Sequence, residues 1–198
     1  MLEGTPFRVA DPTMTFTLLR AQRDLAEFGR LLGKDVSDTE AAIKQLELGA
    51  QSLWNEKLGS YDSRDVNSEQ WAGSISNASF LCWYAGLEAL QMHKVLDDVM
   101  ANVKYGVPSL DICNKSFDGK RYWRGPVWAI MNTLIGIGMD EMGMKAGAKL
   151  RQSTADLITE HGFSEYFDPR DGTPAGGQSF TWTAAIWLGW ASPSAGAN

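Results

Sequence analysis

Two stretches of the chain combine aromatic rings and glycines with a few charged or amide side chains. The first is GKRYWRGPVW at 119–128, and the second is GFSEYFDPRDGTPAGGQSFTW at 162–182. Aromatic faces cover the apolar face of a sugar ring while planar polar groups bind its hydroxyls, so this mixture is typical of a carbohydrate site. Within the two stretches, Glu165 is the candidate for acid–base chemistry.

Both stretches lie in connections between predicted helices. A helical pattern runs from Pro12 to about Leu32, and a second runs from Ser37 to about Trp54, with Ser37 and Glu40 spaced as a capping box. Further helical patterns cover residues 75–87, 88–103, 126–142, 145–160 and 180–190. The count is therefore about seven helices, and no strand is predicted before PAGGQS at 174–179.

The predicted helices alternate in character along the chain. An interior-type helix, a very short link, an amphipathic helix and a long connection follow one another three times, with the long connections at 55–74, 104–125 and 163–179. Short links make antiparallel hairpins, so the three long connections must emerge at one end. We expect one all-α domain over 1–198 that forms part of an (α/α)6 toroid; a helical bundle or a solenoid fits the pattern too.

Composition and charge exclude several classes of partner. The net charge is −6, and no segment concentrates Lys and Arg as a nucleic-acid surface would. The two histidines fit no metal-ligand pattern, and Cys82 and Cys113 form no disulfide framework. No apolar run approaches the ~20 residues that span a bilayer. We expect a cytoplasmic protein without metal, cofactor, nucleic-acid partner or membrane span.

Four motifs follow one another along the chain, in an order and with a spacing that a known family shares: GVPSLD at 106–111, YWRGPVW at 122–128, GFSEYFDP at 162–169 and GGQSFTWTAA at 176–185. In these motifs the chain resembles the C-terminal half of the catalytic domain of glycoside hydrolase family 63, especially its bacterial mannosylglycerate and glucosylglycerate hydrolases. The resemblance spans most of the chain. It implies an inverting α-glycosidase on an (α/α)6 barrel of twelve helices.

The resemblance also implies roles for particular residues. Glu165 takes the place of the general base that activates water. Arg124 is expected to position a carboxylate, either that of Glu165 or one on the substrate. The sugar-contacting positions implied by the motifs are Tyr122, Trp123, Trp128 and Gln178.

One family feature does not appear in this sequence. The general acid of the family is an Asp in a Trp-Asp-Ser type segment, and no such segment occurs between residues 1 and 198. Asp111 and Asp118 have no local feature that favours them as substitutes. We therefore expect the C-terminal part of a glycosidase whose acid lies in a missing N-terminal half. The alternative is a non-catalytic carbohydrate-binding or interaction protein; terpene cyclases and prenyltransferases need aspartate-rich or zinc motifs that the sequence lacks.

For several aspartates and for Trp128, a structural role competes with a functional one. A calcium loop in YDSRDVNSEQ would use Asp62, Asp65, Asn67 and Glu69, but the required glycine is missing and turn capping explains these residues better. Asp168 and Asp171 have the spacing of turn formers. Trp128 lies at a helical position, where a tryptophan is more often core than ligand contact.

An open arc of hairpins leaves apolar helix flanks uncovered. The expected flanks lie around Phe16 and Leu25 at one end and around Trp187 and Trp190 at the other. Exposed apolar patches promote association. The sequence therefore predicts self-association or contact with a missing N-terminal half.

Overall fold

The computed structural model describes residue 5 and residues 8–195. Within these residues the chain forms seven α-helices, so the predicted all-α fold is confirmed. In chain order they are α1 Pro12–Leu31, α2 Ser37–Gln51, α3 Leu81–Tyr84, α4 Met92–Ala101, α5 Ala129–Glu141, α6 Ala146–His161 and α7 Thr181–Ile186. A 3₁₀-helix, Asn77–Phe80, leads into α3, and a π-helix, Trp187–Ala191, follows α7.

The helices stack as hairpins in two layers. The first layer runs from α1 through α3 and α5 to α7, each packed on the next, while α2 packs on α1 and α6 packs on α5. Most positions of α5 are buried, as its nearly continuous apolar sequence predicts. The main core fills the space between the layers, and its largest fully buried members include Phe16, Phe80 and Trp83.

The two N-terminal helices begin in different ways. Asp11 caps α1, since its side chain accepts a hydrogen bond from the Met14 amide at 3.2 Å. The capping box predicted for α2 is wrong, because Ser37 is already the first helical residue and makes no side-chain cap. Its amide instead donates to Asp35 Oδ1 at 3.0 Å.

The start of α5 also differs from the sequence prediction. The helix begins at Ala129 rather than Pro126. The reason is that Val127 is extended, with bridges to Pro108 on one side and Phe167 on the other. Backbone groups committed to these bridges cannot join the first turn of a helix.

Three long loops connect the hairpins: loop 1 (52–76), loop 2 (102–128) and loop 3 (162–180). Contrary to the prediction of no strand before PAGGQS, loop 3 carries a short antiparallel pair, and two further pairs involve loop 1 and the segment before α1. β1 (Val9–Ala10) pairs with β4 (Arg64–Asp65), β2 (Trp54–Asn55) with β3 (Ser60–Tyr61), and β5 (Tyr166–Phe167) with β6 (Pro174–Ala175). Strands of two residues are too short to produce a readable alternation in the sequence.

The apolar flanks are exposed, although not all of the predicted residues form them. Phe16 and Trp190 are buried, and Phe16 packs edge-on against Tyr61 at 5.0 Å between ring centroids. Leu25 is exposed as predicted. It belongs to an apolar stripe on α1, which we call the α1 stripe: Met14, Leu18, Leu25, Phe28 and Leu32.

Two further features concern helix length and the cysteines. Between residues 8 and 195, no helix is long and apolar enough to cross a membrane. Cys82 and Cys113 are both free thiols; Cys82 is buried, which raises its pKa, and Cys113 is exposed.

Candidate active site

The three loops meet at one end of the helical stack, as the short links predict. Loop 2 joins loop 3 through a reciprocal pair of backbone hydrogen bonds between Val127 and Phe167, at 2.8 and 3.0 Å. Loop 2 joins loop 1 through the Asp111 amide, which donates to the Ile75 carbonyl at 2.9 Å. The residues implied as site residues therefore lie on loops that hold one another in place.

Four aromatic rings from loops 2 and 3 form one cluster, which we call the aromatic cluster: Tyr122, Trp123, Trp128 and Tyr166. Trp123 and Trp128 stack nearly parallel, with centroids 4.3 Å apart and planes 7° apart. Tyr122 packs edge-on against Trp128 at 5.1 Å and against Tyr166 at 5.7 Å. Tyr166 also lies 4.9 Å from Trp128.

The rings of the aromatic cluster differ in their access to solvent. Tyr122 is 51% exposed and Trp123 is 45% exposed, whereas Trp128 is only 2% exposed. The indole N–H of Trp128 donates to the Tyr122 carbonyl at 3.1 Å. Tyr122 itself has φ of +42°, a conformation that costs energy for a residue other than glycine and is concentrated at functional sites. Trp128 therefore supports the two rings that face solvent.

Glu165 lies immediately before Tyr166, on the hairpin formed by β5 and β6. Its amide donates to the Gly177 carbonyl and the Gly177 amide donates to Glu165 Oε2, both at 2.9 Å. Gly176 has φ of +71°, and a Cβ there would come within 2.6 Å of that same oxygen. Glycine thus lets the returning chain approach the carboxylate. Within the described residues, Oε1 accepts no hydrogen bond.

The remaining predicted residues lie on the same loops but are exposed. Arg124 donates from Nε and Nη2 to the Ser116 carbonyl, at 3.3 and 3.1 Å. The guanidinium is therefore bound to loop 2, and the structure does not pair it with Glu165. Gln178 follows Gly177 on the returning arm of the hairpin, next to Ser179 with φ of +55°.

Two contributions to the site were missed from the sequence. The ring of Tyr166 joins the aromatic cluster, and the amide of Gly177 holds the Glu165 carboxylate. Both depend on the pairing of β5 with β6. The glycine pair in PAGGQS was the available signal, because it marks a close backbone approach.

Of the other acidic residues singled out in the sequence, Asp65 and Asp171 cap turns. The turn-capping interpretation is wrong for Asp62, because its buried Oδ2 accepts from Asn55 Nδ2 at 3.0 Å and from the Gly73 amide at 2.8 Å, seven and eleven positions away. Asp65 Oδ1 accepts from the amides of Asn67 and Ser68, at 2.9 and 2.7 Å, as the turn-capping interpretation predicts. Asp171 Oδ1 accepts from the Thr173 amide at 2.8 Å. Across the part of the chain that the structure describes, no group of three or more His, Cys, Asp or Glu side chains could hold a metal ion.

Stacked helical hairpins with an acidic side chain and aromatic rings on loops at one end define a protein of the helical-toroid glycosidase type. A family model described as the mannosylglycerate hydrolase MGH1-like glycoside hydrolase domain matches residues 1–183. The chain belongs to this family.

Similar proteins agree with this assignment. A mannosylglycerate hydrolase of Thermus thermophilus is 34% identical over 191 residues, which cover 94% of this chain and 46% of the relative. The glucosylglycerate hydrolase of Mycolicibacterium hassiacum is 27% identical over 93% of this chain and 44% of the relative.

A solved structure of a relative has the same fold as this chain over the matched residues. The crystal structure of a family 63 mannosylglycerate hydrolase from Thermus thermophilus, in complex with Tris and D-glycerate, matches with a TM-score of 0.87 at 33% identity. The match covers 92% of this chain and 46% of that one. This chain therefore spans a little under half the length of the curated relatives it matches, and its helices form part of an (α/α)6 toroid.

Proposed function

We propose that the chain carries the water-activating side of an inverting α-glycosidase, with Glu165 as the general base. The observation that carries the proposal is the setting of its carboxylate: Oε2 is held by the Gly177 amide at 2.9 Å. This oxygen lies beside the Tyr166 ring of the aromatic cluster, because a Cβ on Gly176 would come within 2.6 Å of the oxygen and 2.7 Å of the ring. A carboxylate fixed through one oxygen keeps its orientation while the other oxygen takes a proton from water.

The substrate class that fits this site is an α-glycoside of glycerate, with glucose or mannose as the sugar. Tyr122 and Trp123 offer exposed rings for the apolar face of the sugar. The Gln178 amide supplies both a donor and an acceptor for hydroxyls. The names of the relatives, mannosylglycerate hydrolase and glucosylglycerate hydrolase, support this class.

Arg124 is the proposed partner of the glycerate carboxylate. It lies two residues from Tyr122, and its exposed guanidinium uses two nitrogens on the Ser116 carbonyl. A guanidinium has five N–H donors, so donors remain for a substrate carboxylate.

Inversion requires a second carboxyl group about 6.5 to 9.5 Å from the base. Residues 1–198 lack the Trp-Asp-Ser type segment that carries the general acid of the family. On loop 2, Asp111 Oδ1 and Asp118 Oδ1 cap turns by accepting from the Cys113 amide at 3.2 Å and from the Lys120 amide at 3.1 Å. We therefore propose that the general acid comes from a segment outside residues 8–195, and that hydrolysis belongs to the completed toroid.

The alternative is a carbohydrate-binding protein without turnover, because the aromatic cluster could bind a sugar in the absence of a general acid. Assays of two proteins separate the two functions. One is the chain alone, and the other, which we call the joined protein, is a fusion of the N-terminal part of the Thermus thermophilus hydrolase to the N-terminus of this chain. Release of glycerate from mannosylglycerate or glucosylglycerate by the joined protein supports the enzyme. Binding of these glycosides by both proteins, without release by either, supports the binding protein. If neither protein binds or cleaves them, both assignments fail.

A further inference from the structure

An ion pair between a buried carboxylate and a half-exposed guanidinium lies at the turn of the hairpin that carries Glu165. Asp168 is 1% exposed, and its Oδ1 accepts hydrogen bonds from the backbone amide and Nε of Arg170 at 3.0 and 2.9 Å. Its Oδ2 accepts from Arg170 Nη2 at 2.6 Å. The guanidinium therefore binds the carboxylate through two parallel bonds, the strongest arrangement for such a pair.

Loop 2 closes on this ion pair from the other side. A Cβ on Gly119 would collide with the Asp168 carboxylate, so only glycine fits there. The Arg170 guanidinium lies over the Phe117 ring, 5.5 Å from its centroid. Gly119 and Phe117 belong to the segment of loop 2 that leads to Tyr122 and Trp123.

We propose that Asp168 and Arg170 are positioning residues that fix the Glu165 hairpin against the loop carrying the aromatic rings. The catalytic meaning of this inference rests on the proposed function, whereas the coupling between loops 2 and 3 does not. The carboxylate of Asp168 acts through the hairpin, three residues from Glu165.

The coupling of loops 2 and 3 by Asp168 can be distinguished from a role of Asp168 in forming the turn alone. The bond from the Arg170 amide to Asp168 Oδ1 is an ordinary turn cap, and the side-chain oxygen of Asn would also accept it. Asn cannot replace the charge or the second carboxylate oxygen that binds Nη2. Asp168→Asn therefore removes the ion pair while leaving the turn cap available.

Amide hydrogen exchange of the chain tests the coupling without any ligand. The probes are the Val127 and Phe167 amides, which hydrogen-bond each other's carbonyls across loops 2 and 3. Asp168→Asn should raise their exchange rates by about tenfold or more, since hydrogen bonds to charged groups contribute on that order. Gly119→Ala should produce the same change from the opposite loop, because its methyl group displaces the Asp168 carboxylate.

Matched variants serve as controls for the exchange experiment. Asp171→Asn changes a neighbouring exposed carboxylate that only caps the Thr173 amide, and Gly49→Ala adds a methyl group where nothing lies within 4 Å. Neither should change exchange at Val127 or Phe167. The coupling is overturned if Asp168→Asn and Gly119→Ala leave these rates within about twofold of the unmodified chain. An equal increase at the amides of α2 would also overturn it, because that pattern reports global destabilisation.

Kinetics of the joined protein then test the positioning role. Asp168→Asn should lower kcat for glycerate release by about tenfold or more and change KM by less than about twofold, because a displaced base weakens the transition state rather than substrate binding. Unchanged kcat despite faster exchange would overturn the positioning role. If the unmodified joined protein neither binds nor cleaves the glycosides but the exchange results hold, the proposed function fails and the coupling stands.

Discussion

At the residue scale, Tyr122 and Trp123 are exposed and can contact a ligand, whereas the buried ring of Trp128 supports them. Trp123 is half exposed and stacked on Trp128, which is buried and hydrogen-bonded to the Tyr122 carbonyl. The sequence could place these three residues because they lie within seven positions of one another. It could not place Tyr166 beside them, because that contact depends on a hairpin whose strands are two residues long.

Trp123→Ala should weaken glycoside binding by roughly tenfold, because covering about 55 Å² of apolar ring surface contributes about 1.4 kcal/mol. Calorimetric titration with glucosylglycerate and mannosylglycerate measures the change. Trp71→Ala is the control, since Trp71 contacts Arg64 on loop 1 and lies outside the aromatic cluster. Equal affinity in the Trp123 and Trp71 variants would remove Trp123 from the binding surface.

The Asp168 carboxyl also predicts a dependence of stability on pH. Hydrogen bonds from the Arg170 side chain lower its pKa below the ordinary value of 3.8, because they favour the charged form. A lowered pKa gives stability that is present above the ordinary value and is lost as the pH falls through the lowered one. The difference in unfolding free energy between the unmodified chain and Asp168→Asn should be constant at neutral pH and shrink below about pH 4. A difference that grows on acidification would contradict this origin.

At the element scale, the sequence predicts helices well and their ends unevenly. The cap of α1 is confirmed because Asp11 acts locally, through a bond to Met14 three residues away. The start of α5 was misplaced because Val127 pairs with Phe167, forty positions along the chain. Contacts between loops decide this boundary, and hydrophobic periodicity does not report them.

Asp11→Ala should lower the unfolding free energy by about 0.5 to 2 kcal/mol, the usual cost of losing a helix cap. The loss should lie toward the upper end, because Asp11 Oδ2 also accepts from Ser63 Oγ at 3.0 Å and so ties α1 to loop 1. Urea unfolding followed by circular dichroism measures it. Asp38→Ala, in the first turn of α2, is the comparison and should cost less. A larger loss for Asp38→Ala would contradict the assignment.

At the scale of the whole molecule, the chain presents an arc of a toroid with an uncovered apolar edge. The sequence predicted that such an edge would exist, and Leu25 belongs to it. It misidentified Phe16, because that ring lies on the face of α1 that packs against Tyr61. Periodicity shows that a helix has an apolar face, but not which side of a wide face meets the core.

The α1 stripe should cause the isolated chain to self-associate, because a contiguous apolar surface is stabilised when a second surface covers it. Sedimentation equilibrium over a range of concentrations measures the association. The double variant Leu25→Glu with Phe28→Glu should shift the chain toward monomer, whereas Leu90→Glu, at an exposed leucine that is not part of the α1 stripe, should not. A monodisperse monomer of the unmodified chain at high concentration would contradict the prediction.

The central claim is that Glu165 activates water in a completed toroid. Its most direct test is the rate of glycerate release by the joined protein, compared between Glu165→Gln and Glu56→Gln, an exposed glutamate on loop 1. Glu165→Gln should lower kcat by about 10² to 10⁴, the usual contribution of a general base, and Glu56→Gln should leave it unchanged. If the Glu165→Gln protein releases glycerate as fast as the unmodified joined protein, Glu165 is not the base.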